Sequence, residues 1–239
     1  MQMKIGILQC DDVRQDLQPA HGNYPAMFEQ LLHHADSKLE LVFYRALDGE
    51  LPSDTDECDA YMTTGSRFSV NDDLPWIPPL LDFIWSLYTR HKKLVGICFG
   101  HQLIAKALGG DVIQAPQGWG VGVATHSLLA LPRGVNGAAT VPESLSLVVS
   151  HQDQVVTLPQ NSVVLAGSDF CPYAMMQVGD HFLGIQGHPE FSKPYSRDLM
   201  LARKDILPAE VLDDGLTSLE KTVDSERVTR WMLDFLQAS

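Results

Sequence analysis

Short apolar runs alternate with segments of helical apolar spacing through the first half of the chain. The runs are long enough for buried strands and too short for helices, and they cover residues 4–8, 39–45, 60–63 and 94–97. Between them, apolar residues recur three and four positions apart, which predicts helices over residues 24–35, 76–91 and 102–108. The polar stretches 9–23 and 48–56 are expected to be loops.

This alternation predicts a parallel sheet with helices on both of its faces. The ligands of such sheets bind beyond the carboxyl ends of the strands. Two residues of chemical interest fall there, since Gly65 follows the third predicted strand and Cys98 follows the fourth. The polar residues after Gly65 suit a backbone N–H site for an anion, although a plain turn explains them more simply.

From residue 111 onward the pattern changes to short strand-like segments separated by Gly, Pro or Asn. The predicted strands cover residues 111–115, 120–131, 146–150, 155–158, 163–166, 173–178 and 182–186. Gly179 and Asp180 join the last two in a turn. We expect a run of hairpins that forms a mainly antiparallel extension of the sheet. Two helices follow, over residues 195–206 and 225–237.

Composition narrows the range of partners and locations. The net charge of −13 argues against binding to nucleic acid or to an anionic membrane. No apolar run reaches the ~18 residues needed to cross a bilayer, and the first ten residues lack a signal-peptide pattern, which predicts a cytoplasmic protein. The four cysteines are scattered without metal-ligand spacing, so free thiols are expected. With no repeat or long linker, residues 1–239 are predicted to form a single domain.

The segment Gly-Ile-Cys-Phe-Gly at residues 96–100 stands between a predicted strand and a predicted helix. Its two glycines allow a sharp turn that would push Cys98 outward at the sheet edge. The positive end of the following helix would favour the thiolate of Cys98. The alternative is a small residue packed at an ordinary strand–helix turn.

A cysteine nucleophile needs a base, and the base needs a group that orients it. His188 follows a predicted strand and precedes Pro189, which prevents the strand from continuing. Glu190 lies two residues further on, so in extended backbone both side chains project on the same side. A surface ion pair explains His188 and Glu190 equally well. A metal site of His188, Glu190 and His151 is a weaker alternative, because these residues lack a compact ligand spacing.

Five segments together resemble the class I (triad-type) glutamine amidotransferase family. They are Thr-Gly-Ser at 64–66, Gly-Ile-Cys-Phe-Gly-His-Gln at 96–102, Gly-Trp-Gly at 118–120, Ser-His-Gln-Asp at 150–153 and Gly-His-Pro-Glu at 187–190. The resemblance covers about residues 3–192 and looks closest to the glutaminase part of GMP synthetase and its stand-alone relatives. It implies a flavodoxin-like α/β fold, with an open, mostly parallel sheet, helices on both faces and an antiparallel strand extension.

The resemblance also implies a role for each matching residue. Cys98 would be the nucleophile, His188 the acid/base and Glu190 its orienter. The backbone N–H groups of Gly65 and Phe99 would form the oxyanion hole. The residues that would bind substrate are Gln102, at its α-amino acid end, together with Ser150 and His151. The implied reaction is hydrolysis of a γ-glutamyl amide bond in a small molecule through a γ-glutamyl thioester, without cofactor or metal.

The sequence leaves the use of the released ammonia or amine open. It contains no Gly-rich phosphate loop, and the ~48 residues after Phe191 are too few for a synthetase domain. The chain is therefore expected to be an amidotransferase subunit with a separate synthetase, a stand-alone γ-glutamyl peptide hydrolase, or a non-catalytic regulatory binding protein. The missing synthetase domain favours the stand-alone hydrolase, and a complete triad disfavours the regulatory protein.

Overall fold

A nine-stranded sheet with helices packed against it forms the centre of the molecule. The computed structural model describes residues 2–135 and 142–238. The strands in these ranges are β1 Lys4–Leu8, β2 Glu40–Tyr44, β3 Ala60–Thr63, β4 Lys93–Ile97, β5 Asp111–Gln114, β6 Gly120–Leu128, β7 Ser144–His151, β8 Asp153–Thr157, β9 Ser162–Gly167, β10 Met175–Val178 and β11 Phe182–Ile185. The α-helices are α1 Gln18–His21, α2 Tyr24–Ala35, α3 Ile77–Thr89, α4 Phe99–Ala107, α5 Lys193–Ala202, α6 Ala209–Ser218 and α7 Ser225–Gln237. Among these described residues, no helix is long and apolar enough to cross a membrane.

The strand order of the large sheet is β2-β1-β3-β4-β11-β10-β9-β6-β7. The first five strands are parallel to one another. The remaining neighbours, from β10 to β7, pair in antiparallel fashion. The parallel part has the flavodoxin-like order 2-1-3-4-5 if β11 is counted as its fifth strand. The predicted fold class, including the antiparallel extension, is therefore confirmed.

The pairing of β11 with β4 brings distant parts of the chain together. Gly184 lies opposite Gly96 and Ile185 lies opposite Ile97 in a parallel register. The residues that follow the two strands therefore leave the sheet side by side, at the same edge. Cys98 follows β4 there, and the segment leading to His188 follows β11.

Two apolar clusters pack on the opposite faces of the sheet. One includes Val95 of β4 and is covered by α2 and α7, through side chains such as Phe28 and Phe235. The other includes Leu94 of β4 and is covered by α3 and α4, through side chains such as Leu80. Because neighbouring side chains of a strand point to opposite faces, Leu94 and Val95 belong to different clusters. The prediction of helices on both faces is correct.

Several element boundaries differ from the sequence prediction. The helix predicted over 195–206 runs over Lys193–Ala202, since the Ser192 side chain accepts a hydrogen bond from the Tyr195 N–H and caps the helix earlier. The strand predicted over 120–131 ends at Leu128. The loop predicted over 9–23 contains the short helix α1. Strands β5 and β8 form a separate two-stranded sheet and do not extend the large one.

The sequence prediction missed α6 entirely. Its sequence Ala-Glu-Val-Leu-Asp-Asp-Gly-Leu-Thr-Ser has two adjacent aspartates and a central glycine, all poor helix formers. Gly215 permits the contact that holds the helix: a Cβ there would lie 2.8 Å from Met200 Sδ and from Val121 Cγ2. On the facing strand, a Cβ at Gly122 would overlap the backbone oxygen of Gly215. Close backbone packing on β6 thus stabilises a helix that its own sequence does not predict.

Candidate active site

The turn after β4 has the sharp geometry that the sequence predicted. Cys98 has a φ of 50° and a ψ of −97°, a backbone conformation that is rare for a residue with a side chain. A Cβ at Gly96 would lie 2.5 Å from the backbone of Gly100, and a Cβ at Gly100 would overlap Oγ1 of Thr63. Both glycines are therefore required for α4 to begin so close to β3 and β4.

His188 and Glu190 form a buried pair next to this turn. His188 Nδ1 and Glu190 Oε1 are 2.8 Å apart, and the two side chains are almost completely buried. The backbone N–H of His188 donates to the backbone carbonyl oxygen of Val148 at 2.8 Å, which ties the segment after β11 to β7. The alternative of a surface ion pair is wrong, because neither side chain is exposed.

The imidazole of His188 interacts with Cys98 as well as with Glu190. Burial alone would lower the pKa of His188, but the negative charges of Glu190 and Cys98 and hydrogen bonds to both side chains raise that pKa above its usual value. The protonated ring is thus favoured between the thiol and the carboxylate. Gln186 Nε2 donates to Cys98 Sγ at 3.5 Å from the same segment.

Gly65 and Phe99 flank the pair. A Cβ at Gly65 would lie 2.7 Å from Cε1 of His188, so only glycine permits the loop after β3 to approach the ring this closely. Phe99 is the first residue of α4, and the first N–H groups of a helix have no acceptor within it. Gly65 thus lies beside His188, and Phe99 lies beside Cys98.

A pocket of about 510 Å³ opens over Cys98 and His188. Gln102, Ser150 and His151 line it as well, so the structure brings the predicted substrate-binding side chains together. The Gln102 side chain is partly engaged within the protein, since its Nε2 donates to the carbonyl oxygen of Asp153 at 2.9 Å. It also donates to Gln186 Oε1 at 3.3 Å.

Ser150 and His151 differ in their hydrogen bonding. Ser150 Oγ accepts a hydrogen bond of 2.8 Å from the guanidinium of Arg203. His151 is buried, and its Nδ1 has no hydrogen-bond partner among the described residues. Burial, together with the positive charge of His188, lowers the pKa of His151 to about 3. The His151 ring is therefore neutral at ordinary pH.

Three contacts of the site were not identified from the sequence. Phe191 stacks on His188, Gln186 contacts Cys98, and Arg203 contacts Ser150. Phe191 and Gln186 adjoin the Gly-His-Pro-Glu segment, so their positions were a usable signal. Arg203 follows α5 and belongs to no motif. In the described part of the chain, no three His, Cys, Asp or Glu side chains are arranged to hold a metal ion.

Comparison with known proteins places the chain in a family. Residues 30–206 match the family described as Glutamine amidotransferase class-I. The chain belongs to this family. As a class I glutamine amidotransferase family member, it is also similar to Gamma-glutamyl peptidase 3 of Arabidopsis thaliana, with 30% identity over 226 residues that cover 92% of this chain and 89% of that protein.

A second relative and a solved structure are also similar to this chain, the structure in its fold. Gamma-glutamyl peptidase 4 of Arabidopsis thaliana is 36% identical over 185 residues, which cover 75% of this chain and 71% of that protein. The crystal structure of a glutamine amido transferase from Methylobacillus flagellatus superposes with a TM-score of 0.73 at 22% identity, covering 100% of this chain and 96% of the other. The family predicted from the five motif segments is confirmed.

Proposed function

We propose that the protein hydrolyses γ-glutamyl amide bonds in small molecules, with Cys98 as nucleophile, His188 as general acid and base, and Glu190 as the residue that orients His188. The observation that carries the proposal is the position of His188. Its ring interacts with Cys98 on one side and with Glu190, at 2.8 Å, on the other. This is the arrangement that an activated nucleophile requires.

The reaction proceeds in two halves. The Cys98 thiolate attacks the γ-carbonyl carbon and forms a C–S bond, while the carbonyl electron pair moves onto the oxygen. The tetrahedral intermediate collapses, the C–N bond breaks, and His188 gives its proton to the departing nitrogen. Water then attacks the γ-glutamyl thioester, His188 takes up its proton, and the C–S bond breaks to release glutamate and restore the thiolate.

The oxyanion hole is assigned to the backbone N–H groups of Gly65 and Phe99. Two observations support this assignment: Gly65 approaches the ring of His188 closely, and Phe99 directly follows Cys98 as the first residue of α4. Each donor of this kind stabilises the transition state by roughly 3–4 kcal/mol. The N-terminal end of α4 adds partial positive charge at the same place.

Gln102, Ser150 and His151 are assigned to the glutamyl end of the substrate. Gln102 Nε2 is already bound to the carbonyl oxygen of Asp153, so the group that Gln102 offers to an α-ammonium is its carbonyl oxygen. The same hydrogen bond fixes the segment that carries Ser150 and His151. Gln102 therefore acts both on the substrate and on the wall of the pocket.

Between the two catalytic alternatives, the names of the relatives favour a stand-alone γ-glutamyl peptide hydrolase. Two relatives that this chain matches over most of their length are called gamma-glutamyl peptidases. A bulky leaving group also needs room, and a pocket of about 510 Å³ lies within the size range of small-molecule sites. Transfer of ammonia to a separate synthetase remains the second candidate.

The test is turnover by the purified chain alone on glutamine and on a set of γ-glutamyl dipeptides, with Cys98→Ser as the control. We expect release of glutamate from the dipeptides at least as fast as from glutamine, and none with the Cys98→Ser variant. Activity on glutamine alone that appears only after addition of a second protein would favour the amidotransferase subunit. Binding of these compounds without turnover would favour the regulatory protein.

A further inference from the structure

Three arginines line the pocket above Cys98, and they differ in their partners. Arg14 pairs with Asp16 at 3.0 Å, and Arg67 pairs with Asp11 at 2.8 Å. Arg203 has no carboxylate partner among the residues that the structure describes. In the described part of the chain, Arg203 is thus the guanidinium of this pocket that lacks a carboxylate partner.

Arg203 is nevertheless held firmly in place. Its Nη1 donates to Ser150 Oγ at 2.8 Å, and its Cζ lies 5.5 Å from the ring centroid of Trp119. Arg203 is half-buried, and this partial burial lowers its pKa, because the charge loses part of its contact with water and gains no carboxylate in exchange. A guanidinium that is held in a pocket without a carboxylate partner is suited to bind an anionic ligand, because the anion would compensate its charge.

The other carboxylates of the pocket have partners of their own, and Asp72 accepts a hydrogen bond from the backbone N–H of Ser69 at 2.9 Å. Asp12 is bound by Arg45 at 3.0 Å, and Asp153 accepts a hydrogen bond from Ser69 at 2.5 Å. The titratable groups that interact with Arg203 are the hydroxyls of Tyr24 and Tyr195, the positive charge of Arg14, and the negative charge of Cys98, which His188 already shares. Burial raises the pKa of Tyr195 to about 12, so its hydroxyl is neutral at ordinary pH.

We propose that Arg203, positioned by Ser150 and Trp119, forms a subsite that binds a carboxylate of the substrate. The planar guanidinium carries five N–H donors, and Ser150 occupies one, which leaves donors for bidentate binding of a carboxylate. The inference rests on the proposed function and specifies its substrate class. A γ-glutamyl peptide offers this group from two sources: the α-carboxylate of the glutamyl residue and the carboxylate of the departing amino acid.

The test compares four substrates with the wild-type protein and with Arg203→Gln. They are γ-glutamylglycine, its glycinamide form, its α-carboxamide form, and the form with both carboxylates converted to amides. Arg203→Gln is expected to lower kcat/KM roughly 10- to 100-fold for every substrate that carries the recognised carboxylate, and to leave substrates without it unchanged. Arg203→Lys should restore part of the difference. Arg14→Gln, which removes a paired arginine of the same pocket, should not discriminate among the substrates.

The pattern of loss in kcat/KM among the four substrates identifies which carboxylate Arg203 binds. Loss that requires the glycine carboxylate assigns Arg203 to the leaving group, and loss that requires the α-carboxylate assigns it to the glutamyl residue. An equal fall for all four substrates, or no fall for any, would overturn the proposal.

Failure of the proposed function leaves the subsite testable. If no substrate is turned over, calorimetric titration of Cys98→Ser with γ-glutamylglycine and its diamide replaces the kinetic assay. The subsite predicts that Arg203→Gln, added to Cys98→Ser, weakens binding of γ-glutamylglycine roughly 10- to 100-fold and does not affect the diamide. Equal affinity of γ-glutamylglycine for the single and the double variant contradicts the subsite.

Discussion

The phenyl ring of Phe191 lies flat against the imidazole of His188, with ring centroids 3.9 Å apart and planes at 3°. Tyr195 holds Phe191 in turn, edge to face at 4.6 Å. Together with the hydrogen bond to Glu190, this stack fixes both the plane and the rotation of the His188 ring. Phe191 is therefore a positioning residue for His188.

We predict that Phe191→Leu lowers kcat about 3- to 10-fold with little change in KM, because a stacked aromatic pair contributes about 0.5–1.5 kcal/mol beyond its buried area. The pH profile of kcat/KM should shift as well, since the environment of the imidazole changes. Phe68→Leu, which removes another ring from the pocket without contact to His188, is the control and should leave the profile in place. An unshifted profile in Phe191→Leu would show that Phe191 only fills space.

Cys98 should be the thiol that reacts first with an alkylating reagent. It opens into the pocket, whereas burial raises the pKa of the thiols of Cys10, Cys58 and Cys171, that of Cys171 to about 12. Peptide mapping after brief iodoacetamide treatment should show labelling at Cys98 on the order of ten times faster than elsewhere. Faster labelling of any other cysteine contradicts the assignment of Cys98 as nucleophile.

Glu190→Gln should reduce activity less than His188→Ala, for which a loss of roughly 10²–10⁴ in kcat is expected. The amide can still orient the ring but cannot stabilise its positive charge. Because the charge of Glu190 raises the pKa of His188, that pKa falls in Glu190→Gln, and the protonated ring is lost at lower pH. The alkaline limb of kcat/KM should move to lower pH.

The control for this shift is Glu29→Gln on the exposed side of α2, which should leave the profile unchanged. Equal losses in Glu190→Gln and His188→Ala, with unchanged melting temperatures, would show that Glu190 does more than orient the ring. No loss in either variant would rule out the triad.

His126 should make the protein sensitive to acid. Burial lowers the pKa of this β6 residue to about 4, from the 6.5 of an exposed histidine. Between these values the unfolded chain binds the proton and the folded chain does not, so the stabilisation is complete above pH 6.5 and is lost as pH falls toward 4. By pH 4 this loss amounts to about 3 kcal/mol.

Denaturant unfolding between pH 7 and pH 4 measures this effect. His126→Leu should lose less stability than the wild type over that range, whereas His34→Gln, at an exposed position of α2, should follow the wild type. An identical pH dependence in His126→Leu would refute the assignment.

Local signals in the sequence were sufficient for much of the fold. The bounds of β1, β3, α2 and α7 follow directly from apolar spacing and match the structure. The helix α6 could not be predicted in this way, because its stability comes from contact of Gly215 with β6. The separation of β5 and β8 from the large sheet likewise depends on pairing between distant segments, which no local pattern encodes.

Residues of the candidate site likewise differ in how far the sequence predicts them. Cys98, His188 and Glu190 stand in motifs whose local geometry can be read from Gly, Pro and a spacing of two residues. Arg203 enters the pocket because the turn after α5 brings it to Ser150, a contact between residues 53 positions apart. That no carboxylate of the described residues lies beside Arg203 is likewise a property of the packed molecule, and the sequence carries no sign of it.

The place of β11 in the sheet also constrains how the protein folds during synthesis. β11 lies between β4 and β10 but begins at residue 182, so β4 gains this neighbour only after the preceding 181 residues have been synthesised. Until then the edge of β4 beside Cys98 stays unpaired, and its exposed N–H and C=O groups are open to other strands. A ribosome-bound chain that ends before residue 182 therefore carries Cys98 without His188, and the two side chains can meet only late in synthesis.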